Sequence, residues 1–336
     1  MSTLRSLALG ALAAFGLALG VGLSATARAD GGPADLWAVA RAGLPSTQFV
    51  VMGANLAAIK GSSLYRELAK PLLDQATEVR EGLDRVKKTC GIDVIDTAQG
   101  MVVAVDDKQK GAIFLATNGI DSAKVTDCFA KIGADDKTPK KITASKPDAH
   151  GVVEYSASGE KKKLYVAFLP KGVLAMATDV ENKALLEKYL TSKGPAAGSP
   201  LARGLGAVNT SGALWLVVAQ EKLVDPPGNV TMKAVYGTAD LGGGNVSADF
   251  RVLTGNPKQA GEFAAYANKQ VEDAKAGGQV PPEAQSLVKS LKIAPNGDEV
   301  QLKASLPEKE ILALVQGAMN GGAAPAPAPS TEPAKK

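Results

Sequence analysis

The sequence predicts an α+β protein built mainly on antiparallel sheets, with helices on one face and two related halves. Three observations predict it. Short β-rich runs recur, broken by Pro, Gly and Asp, as antiparallel pairing needs. Amphipathic helical stretches with side-chain caps stand between the groups of strands. The same grammar is met on both sides of Gly194-Pro195-Ala196-Ala197-Gly198-Ser199-Pro200, the strongest boundary signal in the chain.

Taken in order, Met1–Arg5 is a short segment with one Arg, and Ser6–Ala25 is an uncharged apolar run. Ala27-Arg28-Ala29 reads as a small-residue cleavage site, followed by the polar start Asp30-Gly31-Gly32-Pro33. Residues 1–29 therefore read as a secretory signal peptide cut between Ala29 and Asp30, which places the mature chain in the periplasm or outside the cell. The apolar run is long for such a peptide, so retention as an N-terminal anchor is the alternative. Residues 30–43 are a polar, Ala-rich lead. Residues 44–193 and 201–320 are two α+β domains, joined by a linker at 194–200. Residues 321–336 are rich in Ala and Pro and read as a disordered tail, because they offer almost no side chains to bury.

Within the first domain, Gln48–Gly53 is the opening strand, and a helix begins at Pro71 and stops near Cys90-Gly91. Met101–Val105 pairs with Ala112–Ala116 across Asp106–Lys110. Asp121 caps a helix. Lys141–Ser145 with Val152–Ser156, and Leu164–Leu169 with Val173–Ala177, form further hairpins. Thr178–Glu181 fits a capping box. In the second domain, Ala213–Ala219 is an apolar strand, and Thr231–Gly237 and Val246–Leu253 flank the tip Gly242-Gly243-Gly244. Asn256-Pro257 opens a long helix, and Pro281-Pro282 opens another. Pro295-Asn296-Gly297-Asp298 turns between two strands, and Ser305–Glu308 fits a capping box for the last helix. A weak repeat emerges. Ala112–Ile132 and Ala248–Lys269 each read as strand, Thr-containing turn, capping Asp or Asn, and amphipathic helix.

The two cysteines, Cys90 and Cys128, are expected to form a disulfide, since an exported chain folds in an oxidising space. Cys90 continues the apolar stripe of Val79, Leu83 and Val86. Cys128 lies with Val125, Phe129 and Ile132, so both thiols sit on apolar helix faces that can meet.

Composition excludes more than it assigns. Without residues 1–29 the chain carries 36 bases against 34 acids, so it has no strong field to steer nucleic acid. Aromatic residues make up 4%, too few for a stacking platform. No later run is long and apolar enough to span a bilayer, so no transmembrane span is expected after signal cleavage. His150 is the single histidine, with Ser145 and Asp148 near it in sequence. It reads as a turn histidine in solvent, because a triad is set by spatial geometry. Ser286-Leu287-Val288-Lys289 matches S-x-x-K but lacks the companion motifs of that chemistry. Asp106-Asp107, Asp135-Asp136, Lys137–Lys141 and Lys161-Lys162-Lys163 read as solvated turn charge. The sequence thus assigns no catalytic, cofactor-binding or metal-ligating residue, and no cofactor.

Leu44-Pro45-Ser46-Thr47-Gln48-Phe49-Val50-Val51, then Asn55-Leu56, Ser63-Leu64-Tyr65 and Cys90-Gly91-Ile92-Asp93, resembles a group of exported bacterial proteins of unknown function. The match covers about residues 44–97 and implies export, with no catalytic residues to carry over. The expected role is non-enzymatic binding or scaffolding of another envelope component. The alternatives are a carrier for an apolar ligand such as a lipid or lipoprotein chain, and a hydrolase with an unrecognised site. An apolar cavity between sheet and helices distinguishes the carrier, and a cleft gathering acids with perturbed pKa values distinguishes the hydrolase.

Overall fold

Met101-Val102-Val103-Ala104 has no polar residue on either side of its alternation, which suits a strand covered on both faces. It lies near the middle of a single broad sheet. The computed structural model describes residues 32–319 except 47–48, 70, 72–75, 135–140, 220–229, 279 and 281–283. The cleavage site Ala29–Asp30, the Asp135-Asp136 pair, residues 137–140, the Pro281-Pro282 start and the 321–336 tail lie outside the described residues.

The first half holds α1 (Pro33–Ala42), β1 (Val50–Asn55), α2 (Leu56–Lys60), a π-helical turn (Tyr65–Ala69), α3 (Thr77–Cys90) and α4 (Val94–Thr97). It continues with β2 (Ala98–Val105), β3 (Gly111–Thr117), α5 (Ser122–Gly133), β4 (Ile142–Ala144), β5 (Val152–Ala157), β6 (Lys163–Leu169), β7 (Val173–Ala177) and α6 (Lys183–Leu190). The second half holds α7 (Pro200–Ala207), β8 (Leu214–Val218), β9 (Met232–Gly242), β10 (Asn245–Thr254), α8 (Pro257–Ala276), α9 (Gln285–Ser290), β11 (Lys292–Asn296), β12 (Glu299–Pro307) and α10 (Glu308–Met319).

All twelve strands join in the order β11-β12-β10-β9-β8-β1-β2-β3-β7-β6-β5-β4, and every neighbouring pair is antiparallel. The α+β class with an antiparallel sheet is the class expected. The halves meet where β1 pairs with β8, Gly53 opposite Trp215. A Cβ on Gly53 would stand 2.1 Å from the Trp215 ring, so glycine is what lets that indole cross β1. Trp215 in turn meets Trp37 of α1 edge to face, with centroids 4.5 Å apart.

Connectivity repeats across this junction. From β1 outward, three strands meander, α5 carries the chain to the edge, and β4–β7 return to pair β7 with β3. From β8 outward, three strands meander, α8 carries the chain to the edge, and β11–β12 return to pair β12 with β10. A buried threonine marks the same point in each half. Thr117, ending β3, donates its hydroxyl to Gly172 O (2.9 Å), just before β7. Thr254, ending β10, donates to Asp298 O (2.8 Å), just before β12. Asp121 and Asn256 cap α5 and α8 by accepting from Lys124 N and Gln259 N, as expected.

Helices, expected on one face, cover both. On one face Val51, Val102, Ala104, Ala112 and Phe114 pack with residues of α1, α6 and α7. On the other, Met101 and Val103 pack with α2, while Val252 and Val300 pack with Ala260 and Ala264 of α8. Val125 and Phe129 of α5 pack with Val153, Tyr155 and Val166 on that same face. Alternate residues of β2 thus point into separate layers. Each fully buried large side chain, such as Phe114, Leu186 or Tyr189, contributes about 1.5–3 kcal/mol of burial.

Several boundaries differ from expectation. The lead at 30–43 contains helix α1, with Pro33 in its first turn. Thr178 does not cap α6, because its hydroxyl accepts from Gly111 N (3.0 Å), and Asn182 is the cap. β12 runs through Pro307, because the Glu308 carboxylate turns away to accept from Ser63 N (2.8 Å) and from the Ser63 hydroxyl.

Cys90, at the end of α3, is bonded to Cys128 of α5, with Cα atoms 5.0 Å apart. The described part of α3 is largely exposed and rests mainly on α5. The bond spans 38 residues, worth roughly 4 kcal/mol in the chain-entropy model. We expect the Cys90→Ser/Cys128→Ser protein to unfold in urea with a stability lower by up to about that amount, and α3 amides to exchange faster than those of β2. Unchanged stability and unchanged α3 protection would show that α3 docks without the bond.

Candidate functional site

On β9, β10 and β12 the residues sharing a face with Trp215 and Val217 change from apolar to polar. Tyr236, Thr238 and Asp240 follow Ala234 on β9, and they face Arg251, Asp249 and Ser247 on β10. Those face Gln301, Lys303 and Ser305 on β12. Gly243 and Gly244, both at positive φ, make the tight turn that holds β9 and β10 in this register. The result is a cleft of about 480 Å³ floored by these strands. Ala207–Asn209, at the end of α7 and just beyond it, form one wall, with Ser290 and Lys292 on the opposite side.

One end is fixed by a charged cluster. Glu299 is 7% exposed. Its carboxylate accepts from Arg203 (2.6 Å), from Arg251 (3.5 Å) and from the Tyr236 hydroxyl. Arg203 also grips Asp298 with two bonds of 2.7 and 2.6 Å, which ties α7 to the start of β12. These bonds to Arg203 hold the Asp298 carboxyl below the usual range. Burial, then the hydrogen bond to Glu299, pushes the Tyr236 phenol up to about 12. In the middle of the floor Asp249 accepts from Gln301 Nε2 at 2.9 Å through both oxygens, with Lys303 at 3.6 Å and Arg251 at 3.9 Å. Ser247 and Ser305 share a hydroxyl contact of 3.1 Å.

The acid Glu299 is engaged by two arginines and a phenol, the Ser247 and Ser305 hydroxyls contact each other, and Asp240 stands directly across from Ser247. Among the described residues no cluster of three His, Cys, Asp or Glu can hold a metal ion. No helix among them is long and apolar enough to cross a membrane.

The residues singled out by sequence lie elsewhere. His150 is exposed in its turn, where its backbone N donates to Asp148 Oδ1 (2.9 Å). Asp148 pairs with Lys183 (2.9 Å), whose ammonium holds its carboxyl down at about 2. The Ser145 hydroxyl donates to Lys146 O (2.9 Å), so the Ser145 hydroxyl and the Asp148 carboxylate are each engaged with groups other than the His150 imidazole. Ser286 and Lys289 stand on α9, and neither lines the cleft. Asp106 accepts from Lys108 N and Lys110 N, both at 2.9 Å, and shapes the β2–β3 turn. Lys162 and Lys163 pair with Glu181 and Glu154. Sequence reasoning did not single out Arg203, Tyr236, Asp249, Arg251, Glu299 or Lys303. The available signal was the strict alternation of Ser247, Asp249 and Arg251 with Ala248, Phe250 and Val252.

No family model matches the chain, and no curated protein matches it. Among solved structures it is similar to crystal form III of TP0453, with 11% identity and a TM-score of 0.44, covering 82% of this chain and 97% of that one. Crystal form I of TP0453 gives 11% identity and a TM-score of 0.44, covering 83% of this chain and 96% of that one. No residue role is carried over from either.

The Tyr236 phenol gives the site a pH signature. Its folded value, about 12, lies above the ordinary 10.0, so its contribution is complete below about 10 and is lost as pH rises toward 12. We expect the fall in urea stability between those values to be smaller in Tyr236→Phe protein. Identical alkaline profiles for the two proteins would contradict the Tyr236–Glu299 bond.

Proposed function

We propose that this chain acts outside the cytoplasm as a non-enzymatic binding protein, and that it binds a partner of the cell envelope through the polar cleft. One observation carries the reading. The sheet face that α1 and α6 seal with apolar side chains in the first half is polar in the second, and no described residue of α10 lines the cleft there. A polar sheet face left open stays hydrated, and walled by α7 on one side it offers paired charges and hydroxyls to a polar partner. The Cys90–Cys128 bond supports an oxidising compartment, and the signal-like residues 1–29 support export with cleavage between Ala29 and Asp30. The same reading treats 44–193 and 201–320 as two copies of one unit, supported by the repeated strand order and the paired Thr117 and Thr254 bonds. The floor of the cleft carries Asp240, Asp249, Arg251 and Lys303, which suits a polar partner better than a lipid chain.

A photo-crosslinking residue placed at Ser305, on the cleft floor, tests this in the native host. We expect a discrete adduct with one envelope component from Ser305 and none from Val180, which is 39% exposed and outside the cleft. Equal labelling at both positions, or no adduct at Ser305, contradicts the proposal.

A further inference from the structure

The geometry points to a short extended peptide segment of mixed charge as the occupant of the cleft, its basic side chain at Asp240 and its acidic side chain at Lys292. This rests on the reading of the cleft as a binding surface and names what that surface selects.

The floor is a grid set by strand register. Thr238, Asp249, Lys303 and Lys292 are directly paired across β9, β10, β12 and β11 and form one row. Asp240, Ser247 and Ser305 form the next. Asp240 and Lys292 therefore occupy opposite corners. Three strand spacings and one two-residue step separate them, roughly 16 Å in all. An extended chain of about five residues spans that distance, and a cleft of about 480 Å³ is of ligand-binding size.

The corners are the places where charge is left over. Asp240 accepts a backbone bond from Ala213 N at 3.3 Å and has no cation within ion-pair distance among the described residues. Lys292 is exposed and has no acidic partner among them. Between the corners the charges largely cancel: Asp249 is shared by Gln301, Lys303 and Arg251. Ser247 and Ser305 hydroxyls lie between the corners and can both donate and accept, as the amides of a peptide backbone require. A simple anion would leave Asp240 unanswered, and a simple cation would leave Lys292 unanswered. A segment crossing the strands with a base at one end and an acid at the other answers both. The charges of the floor then set which end of the segment lies at which corner.

The test uses the oxidised mature chain and two blocked pentapeptides, acetyl-Lys-Ala-Ser-Ala-Glu-amide and its charge-swapped form, acetyl-Glu-Ala-Ser-Ala-Lys-amide. Amide shifts of Ser247, Asp249 and Lys303 are followed by NMR. A pentapeptide can reverse its direction, so a double variant, Asp240→Lys with Lys292→Asp, accompanies single Asp240→Lys. We expect saturable shifts of the floor amides with the wild-type chain. Asp240→Lys should weaken binding of both peptides about fivefold, the factor for one exposed ion pair, and the double variant should restore it. Native-like spectra of the variants show that the fold is kept. Absence of shifts at the floor, or failure of the double variant to restore binding, overturns the proposal. If the Ser305 adduct forms while no peptide shifts the floor, the peptide assignment fails and the binding surface stands.

Discussion

The pairing of β1 with β8 is the constraint on which the rest depends. It joins residues more than 150 positions apart, and it makes one sheet of two strand meanders. The contact is exacting because the Trp215 indole lies directly over Gly53, where any Cβ would collide with it. Trp37 then closes against Trp215, which seats α1 on the sheet. Burying an aromatic pair of this kind stabilises by more than its area alone, by about 0.5–1.5 kcal/mol. The junction therefore fixes both the centre of the sheet and the helix that follows the expected cleavage site.

From that centre the two halves diverge in what they do with the same face. In the first half α6, following β7, lays Leu185, Leu186 and Tyr189 into the core. In the second, the chain leaving β12 is drawn to Ser63, through the Glu308 carboxylate, and to Gly244 O, which accepts from Glu308 N at 2.9 Å. The strands beneath carry Tyr236, Asp249, Arg251, Gln301 and Lys303 in place of small apolar residues. An apolar face without a covering helix would invite aggregation, whereas a polar one remains hydrated and selective. The arginine cluster around Glu299 holds α7 beside this face and gives it a fixed wall.

Hairpins and caps were legible because their causes are local. Asp121 and Asn256 act within three residues, and Gly243-Gly244 satisfies the positive φ that a two-residue turn demands. The failures share one physical source, competition from distant partners. Glu308 looked like the third position of a capping box and is taken by a serine 245 residues away. Thr178 looked like a cap and is taken by Gly111 N. Helix α1 has no side-chain cap at Gly32, so nothing local announced it beyond Pro33, and its stability comes from Leu36, Trp37 and Ala40 packing on the sheet. The cleft was half visible, since the polar alternation on β10 was present in the sequence. Its meaning depended on which strands lie side by side, and pairing across β10 and β12 is set by long-range register.

Residue-resolved hydrogen exchange on the oxidised mature chain tests the central claim, that the halves form one sheet closed at β1 and β8. The account predicts that amides of β1, β2, β8 and β9 exchange most slowly and with one common free energy, because opening any of them opens the junction. It also predicts that protection declines toward β4 and β11 at the two edges. A second half, β8 to β12, that opens as a unit with a distinctly lower free energy than β1 to β3 would contradict the account.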